Sequence, residues 1–468
     1  MKSATSTPRV PFLEKVGYSL GDLASNLYFQ IFVVFIPIFY TDVFGLPAAA
    51  MGTMMLLTRI WDAVSDPIMG LIADRTHSRW GKFRPLIMSM GLPLAIIGVL
   101  TFTSPDLEGS AKLVYAYVTY ILLVMAYTAV NVPYAALMGV MTPNSQERTE
   151  ISSIRFVSAF IGQLIVGSAT LTLVVFLGKG NEQLGWQMTL VVYGVLAFLL
   201  LAITAITTRE RITPTKGQKS TVVADLKELF KNKPWVLIAL ATIFQLTYIV
   251  MRGSASPYYF RYYVLDQSMN LFGQNINLTY EVFTSAFVSS GSVATLIGAI
   301  LTGFFTRKID KKNVYSIWLI LSAFFSCFFF FIQPHNVLMM FVLNVLVSFF
   351  FGSVSVIQWA IYTDAADFGE WKFGHRATGL VMAASLFALK LGLTLGGAFV
   401  GWLLELHDFV PRAVQSEHTI LGIRLLLSIY PAIFGLIGGL LILFYPLKDS
   451  MMIQIENDLT ARRNNSKE

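Results

Sequence analysis

The chain has 468 residues, 55% of them hydrophobic and only 13% charged, with a formal net charge of +7. Soluble domains carry about twice that charged fraction, the mean hydropathy is +0.64, and the apolar residues come in runs of about twenty. This excludes a soluble enzyme, and the lack of strand-like alternation excludes an outer-membrane barrel. What remains is an all-α polytopic membrane protein.

The first fifteen residues are polar, and the apolar segment that follows is too long for a cleavable signal. Near its start Asp22 follows Ser19 as S-x-x-D, which reads as a helix cap. Twelve spans can be placed, near 17–41, 50–73, 86–104, 113–138, 154–178, 187–207, 235–256, 280–306, 314–333, 336–361, 376–404 and 419–446. The organisation expected is an N-terminal six-helix half (1–207), a central cytoplasmic loop (208–234), a C-terminal six-helix half (235–446) and a cytoplasmic tail (447–468).

Orientation follows from the basic residues. With both termini cytoplasmic, most of the 34 Lys and Arg fall on the inner side. Only Lys112, Lys179, Arg261, Arg412 and Arg424 lie outside, and Arg59, Arg252 and Lys390 fall within spans. The positive charge therefore marks the cytoplasmic face rather than a nucleic-acid partner. An internal repeat is also visible: G-L-I-A-D-R-T-H-S-R-W-G-K-F-R-P (70–85) after span two, and G-F-F-T-R-K-I-D-K-K (303–312) after span eight. Each is a helix-end glycine followed by a short basic loop, and parallel six-helix halves are a transporter architecture.

The chemistry concentrates in span two. Arg59, Asp62, Ser65 and Asp66 share one helical stripe, and a carboxylate at mid-bilayer costs roughly 2.5–3.5 kcal/mol on insertion scales. Such a stripe must line protein or water, where Asp62 and Asp66, with the Ser65 hydroxyl, suit a hard cation such as Na+. Two acids this close also repel, which opens the site to H+ instead; a structural pair of Asp62 or Asp66 with Arg59 or with a basic residue on another helix is the alternative reading. Lys390, deep in span eleven, needs an anionic partner, for which Asp62 and Asp66 are the buried candidates in the other half. Gly392, Gly396, Gly397 and Gly401 beside it read as helix-packing surface.

Asn26, Thr128, Asn131, Gln163, Gln245, Arg252, Asn344 and Gln358 are further polar residues within spans. With Tyr28, Tyr127, Tyr134 and Trp359 they would suit a sugar, amides binding hydroxyls and aromatic faces covering a pyranose ring. The basic residues Arg75, Arg79, Lys82 and Arg84 either pair with acids such as Asp364 or Glu370 as a gate, or only set topology. D-F-G at 367–369, placed at an inner helix connection, lacks the other kinase motifs. No zinc spacing, nucleotide loop or nucleophile elbow is present, so no enzyme and no cofactor are expected.

Y-T-D-V-F-G-L (40–46), R-I-W-D-A-V-S-D-P (59–67), R-W-G-K-F-R-P (79–85), Y-T-A-V-N-V-P-Y (127–134) and D-A-A-D-F-G-E-W (364–371) together resemble the glycoside–pentoside–hexuronide:cation symporters of the major facilitator superfamily. The sequence around Lys390 is most similar to xyloside-type members. The resemblance implies a twelve-helix major facilitator fold in a bacterial inner membrane, and sugar:cation symport by alternating access. It places Na+, Li+ or H+ on Asp62 and Asp66, assisted by Ser65 and Thr128, and makes Lys390 the link to sugar; Arg59, on the same stripe, is a second candidate for coupling. Arg155 becomes a sugar contact, with Asn26, Asn131, Gln358 and Tyr28 as further candidates. Melibiose permease has aspartates where this chain has Asn26 and Asn131, a lysine at Ser25 and a tryptophan at Ala135, so the substrate is expected to be another glycoside, xyloside or uronide. A cation-independent uniporter or exchanger on the same fold is the alternative.

Overall fold

The structure, a computed structural model, describes residues 9–76, 78–142, 145–211, 229–271, 274–374 and 378–465; within these, the Arg59 side chain is among those that lie outside the described residues. The described residues are almost wholly helical. Helix α1 (Phe12–Val43) is followed by α2 (Ala48–Arg75), α3 (Arg84–Thr101), α4 (Gly109–Met141), α5 (Ser145–Gly178) and α6 (Glu182–Thr207). Then come α7 (Lys233–Val264), a hairpin of β1 (Gln267–Leu271) and β2 (Gln274–Leu278), α8 (Tyr280–Thr306), α9 (Lys311–Phe331) and α10 (Val337–Phe373). The last helices are α11 (Thr378–Leu406), α12 (Glu417–Leu443) and α13 (Asp449–Asn465). Among the described residues, 11 helices are long and apolar enough to cross a membrane. Helix α2, with 28 residues, completes the twelve; its charged stripe lowers its hydropathy but not its length.

Two details depart from expectation, and a third adds to it. Helix α1 begins at Phe12, and the residue before it is Pro11. Asp22 therefore lies mid-helix and caps nothing, while the Ser19 hydroxyl donates to the Lys15 carbonyl at 2.8 Å. Helix α10 runs through D-F-G and stops only at Gly374, whose φ of +83° is the left-handed region that glycine favours. The tail contains a helix, α13: Met452, Ile455 and Leu459 are buried, and the Trp371 indole donates to Asp458 at 2.9 Å.

The chain forms two compact units. One comprises Met1–Phe32, Asp42–Leu46 and Leu57–Gly217; the other Val33–Thr41, Pro47–Leu56 and Gln218–Glu468. In the first, α1 packs on α5 and α6, α3 on α4 and α6, and α5 on α6. In the second, α7 packs on α11 and α12, α9 on α10 and α12, and α11 on α12. Adding six to each helix number converts one list into the other, which makes the internal repeat structural. The expected glycine surface is present. A Cβ on Gly392 would lie 2.7 Å from the Ile243 carbonyl oxygen of α7, and one on Gly401 would lie 2.4 Å from that of Ala48. Side chains such as Leu71, Val118, Phe156, Ile300 and Phe387 leave an apolar outer surface exposed, as lipid-facing helices require.

Charges at these helix ends find partners inside their own unit. The Arg84 guanidinium donates to the carbonyls of Trp80, Ala205 and Ile206. Asp364 accepts from Lys311 at 2.6 Å, and Lys311 also lies 3.7 Å from Asp449. Glu210 accepts from the backbone N–H groups of residues 82, 83 and 84 and so caps the N-terminus of α3.

Candidate functional site

Two polar clusters stand out in the first unit. The first joins α2 to α4. Asp62 is 2% exposed, and Ser65 and Thr128 are buried with it. The Thr128 hydroxyl lies 2.8 Å from Oδ1 of Asp62 and 3.2 Å from Oδ1 of Asp66, while Ser65 donates to the Asp62 carbonyl at 3.1 Å. Helical spacing puts the two carboxylates on adjoining turns, and α4 supplies the hydroxyl between them. That hydroxyl has one hydrogen and two lone pairs. It can donate to one carboxylate at a time, so the trio is an oxygen-rich cluster that a proton or small cation can complete. Among the described residues no group of three or more His, Cys, Asp or Glu could hold a metal ion; the oxygen donors of Asp62, Asp66 and Thr128 are of the kind that hard cations take.

The second cluster joins α1, α4 and α5. Arg155 clamps Asp22 through two N–H donors: Nε to Oδ2, and a terminal nitrogen to Oδ1 at 3.3 Å. The Tyr134 hydroxyl donates to the same carboxylate at 3.0 Å. Tyr18 and Tyr134 stack with centroids 4.7 Å apart, and the guanidinium carbon lies 5.5 and 5.2 Å from their ring centres. The hydroxyl of Tyr18 lies 2.9 Å from the Tyr134 carbonyl, and that of Tyr134 2.9 Å from the Tyr18 carbonyl. Gly21 makes this possible, since a Cβ there would meet the Tyr134 ring at 2.3 Å.

The sugar candidates distribute around this cluster unevenly. Asn26, one turn beyond Asp22, donates to the Asp22 carbonyl at 2.9 Å and accepts from Gln163 at 3.1 Å. Asn131 donates to the Tyr127 carbonyl at 2.9 Å, which leaves its side-chain oxygen for other donors. Tyr28 is placed elsewhere: its ring is fully buried against Gly98 of α3, and its hydroxyl lies 3.4 Å from the Leu94 carbonyl. Gln358, in the second unit, is buried and donates to Tyr362, which shares a hydrogen bond of 2.7 Å with Thr242. Lys390 is half-buried on α11, and its carbonyl accepts from Thr394 at 2.8 Å. Arg252 is buried in the second unit, 4.9 Å from the Phe329 ring and 3.5 Å from the Asn344 amide oxygen.

Asp22 is the functional candidate that the sequence reading misses. Ten residues of helix precede it, and a carboxylate so far inside a span is by default a functional residue with a partner to be found. A cap assignment hides that signal.

The sequence pattern of the MFS/sugar transport protein family matches residues 17–449. The chain is 39% identical to the inner membrane symporter YicJ of Escherichia coli K12, over 92% of this chain and 90% of that one. It is 32% identical to the isoprimeverose transporter of Lactiplantibacillus pentosus, over 93% and 89%. It is 30% identical to the glucuronide carrier protein homolog of Escherichia coli K12, over 96% and 95%. In fold it is similar to the inward-facing, occupied crystal structure of a bacterial homolog of the human lysosomal transporter Spinster, with a TM-score of 0.65, 14% identity, and coverage of 92% of this chain and 95% of that one.

Proposed function

The chain belongs to the MFS/sugar transport protein family, the glycoside–pentoside–hexuronide:cation symporters of the major facilitator superfamily, and from that premise we propose that it carries a glycoside inward across a bacterial inner membrane, coupled to Na+ or H+, by alternating access. The observation that carries this reading is the Thr128 hydroxyl held between the Asp62 and Asp66 carboxylates. A cation entering there discharges groups that are otherwise expensive inside a membrane. Its binding energy is then available to favour the sugar-bound state, a coupling of typically 1–3 kcal/mol that acts equally in both directions. Ser65 supplies a further oxygen, Arg59 and Lys390 adjust the charge balance, and Arg155, Asn26 and Asn131 bind sugar hydroxyls. The six-helix halves 1–207 and 235–446 exchange access, with 208–234 and the tail on the cytoplasmic side. Two relatives, an isoprimeverose transporter and a glucuronide carrier homolog, point to a xyloside or a uronide as substrate.

The test is uptake of a labelled glycoside into membrane vesicles under an imposed Na+ or H+ gradient. Asp62→Cys and Asp66→Cys should each abolish accumulation against a gradient while the protein still reaches the membrane. Accumulation at the wild-type level in either variant sinks the cation mechanism, and wild-type uptake indifferent to both gradients identifies a uniporter or exchanger.

A further inference from the structure

We propose that Asp22 sets the charge selectivity of the sugar site, fixing how a neutral glycoside competes with its carboxylate-bearing counterpart. The inference rests on the sugar-carrier reading and deepens it. Its starting point is the arithmetic of the Arg155 guanidinium, which has five N–H donors. Asp22 takes the Nε–H and one hydrogen of a terminal nitrogen, and the other terminal nitrogen points one hydrogen at the Met138 sulfur, 3.6 Å away. Among the described residues this leaves one N–H on each terminal nitrogen for a ligand. Two such donors match either two neighbouring sugar hydroxyls or one carboxylate. Both side chains stay reachable, with relative exposures of 23% for Arg155 and 16% for Asp22.

The fork alone therefore recognises both substrate classes, and the charge behind it decides between them. Paired with Asp22 the guanidinium is neutralised on one edge, so an incoming carboxylate meets a net-neutral pair whose acid repels it. A hydroxyl pair feels no such opposition and is met by polarised donors. The arrangement is also held against reorientation. Tyr134 donates to Asp22, the stacked rings of Tyr18 and Tyr134 back the guanidinium, and Gly21 lets the Tyr134 ring close on α1. Arg155 cannot simply swing from Asp22 to a substrate carboxylate without breaking that set. The two named relatives, one an isoprimeverose transporter and the other a glucuronide carrier homolog, match this chain at 32% and 30% identity. Overall likeness thus does not discriminate between the classes, and a local charge device can.

The experiment compares phenyl β-glucoside with phenyl β-glucuronide, which differ only in a hydroxymethyl against a carboxylate, as competitors of labelled substrate in vesicles carrying the full-length protein. Asp22→Asn should shift the ratio of their inhibition constants at least tenfold toward the glucuronide. Arg155→Gln, which leaves Asp22 uncompensated, should shift it at least tenfold the other way, so the proposal remains testable if one variant fails to insert. The double variant should return near the wild-type ratio, and Asp22→Glu should keep it. An unchanged ratio in an inserted Asp22→Asn or Arg155→Gln protein, or equal loss of both competitors, overturns the proposal and leaves Asp22 a structural partner of Arg155. Wild-type protein that is inhibited by neither compound and transports no glycoside would instead overturn the sugar reading itself.

Discussion

Thr128 has one hydroxyl hydrogen and two carboxylates within reach of it. Hydrogen bonds to charged groups contribute about 1.5–3 kcal/mol, and every 1.4 kcal/mol is about tenfold in affinity. Thr128→Val should therefore raise the cation concentration for half-maximal uptake by about ten- to a hundredfold, while Thr128→Ser stays near wild type. A cation titration of uptake decides it, and equal values for valine and threonine would remove Thr128 from the site. Asp62 and Asp66 are legible in the sequence because a carboxylate within an apolar run demands a reason. Asp22 is not, because the residues before it, Glu14 and Lys15, look like the polar end of a span. In the fold Glu14 is buried against Arg211, with an N–O distance of 2.7 Å, and Lys15 pairs with Glu150. The helix thus starts five residues earlier than hydropathy implies, and the apparent cap becomes a mid-helix acid. At Gly21 the same cluster makes a second demand: Gly21→Ala should cost about 1–3 kcal/mol through overpacking against Tyr134, measured as a lower Tm of the purified protein.

Hydropathy locates the helices but not their local geometry. Helix α1 widens to π-helical turns at Ile31–Phe35 and Phe39–Val43, on either side of a short α-helical stretch containing Pro37, which has no N–H to give to the ladder. An apolar run carries no mark of that change, nor of the β1–β2 hairpin, whose strands are short and polar. At the turn after α11, His407 is 7% exposed, with its ring nitrogens 3.3 Å from His418 and 2.9 Å from the Tyr430 hydroxyl. Gly422 of α12 presses on its ring, and His418 lies 3.5 Å from Asp408. Burial first, and the neighbouring His418 second, hold the His407 imidazole below its ordinary pKa, against the opposing pull of Asp408. The folded state then binds fewer protons than the unfolded chain as pH falls below about 6.5. Stability contributed by neutral His407 is complete above that value and is lost on acidification toward the depressed folded value. The Tm of purified protein should accordingly fall below about pH 6.5, and His407→Gln should flatten the fall. Identical profiles for the two proteins would show that this turn opens without cost.

At the scale of the whole molecule, the repeat shared by the two units makes their difference in charge informative. Within its spans the first unit places Arg59, Asp62 and Asp66 on one helix and pairs Asp22 with Arg155. The second unit, in the same helix-packing pattern, places Arg252 and Lys390. Cations thus stand within the spans of both halves, whereas Asp22, Asp62 and Asp66 have no aspartate counterpart within the spans of the second. Under the proposed symport the cation discharges the acids, and Lys390 links that event to sugar. Coupling belongs to the whole cycle, so its loss should be separable from loss of binding or folding. Lys390→Leu should reach the membrane and still exchange labelled for unlabelled glycoside, yet fail to accumulate it against a gradient. Vesicle counterflow measured beside gradient-driven uptake distinguishes the two steps. If Lys390→Leu accumulates substrate as wild type does, coupling runs through Asp62 and Asp66 without the second unit's lysine.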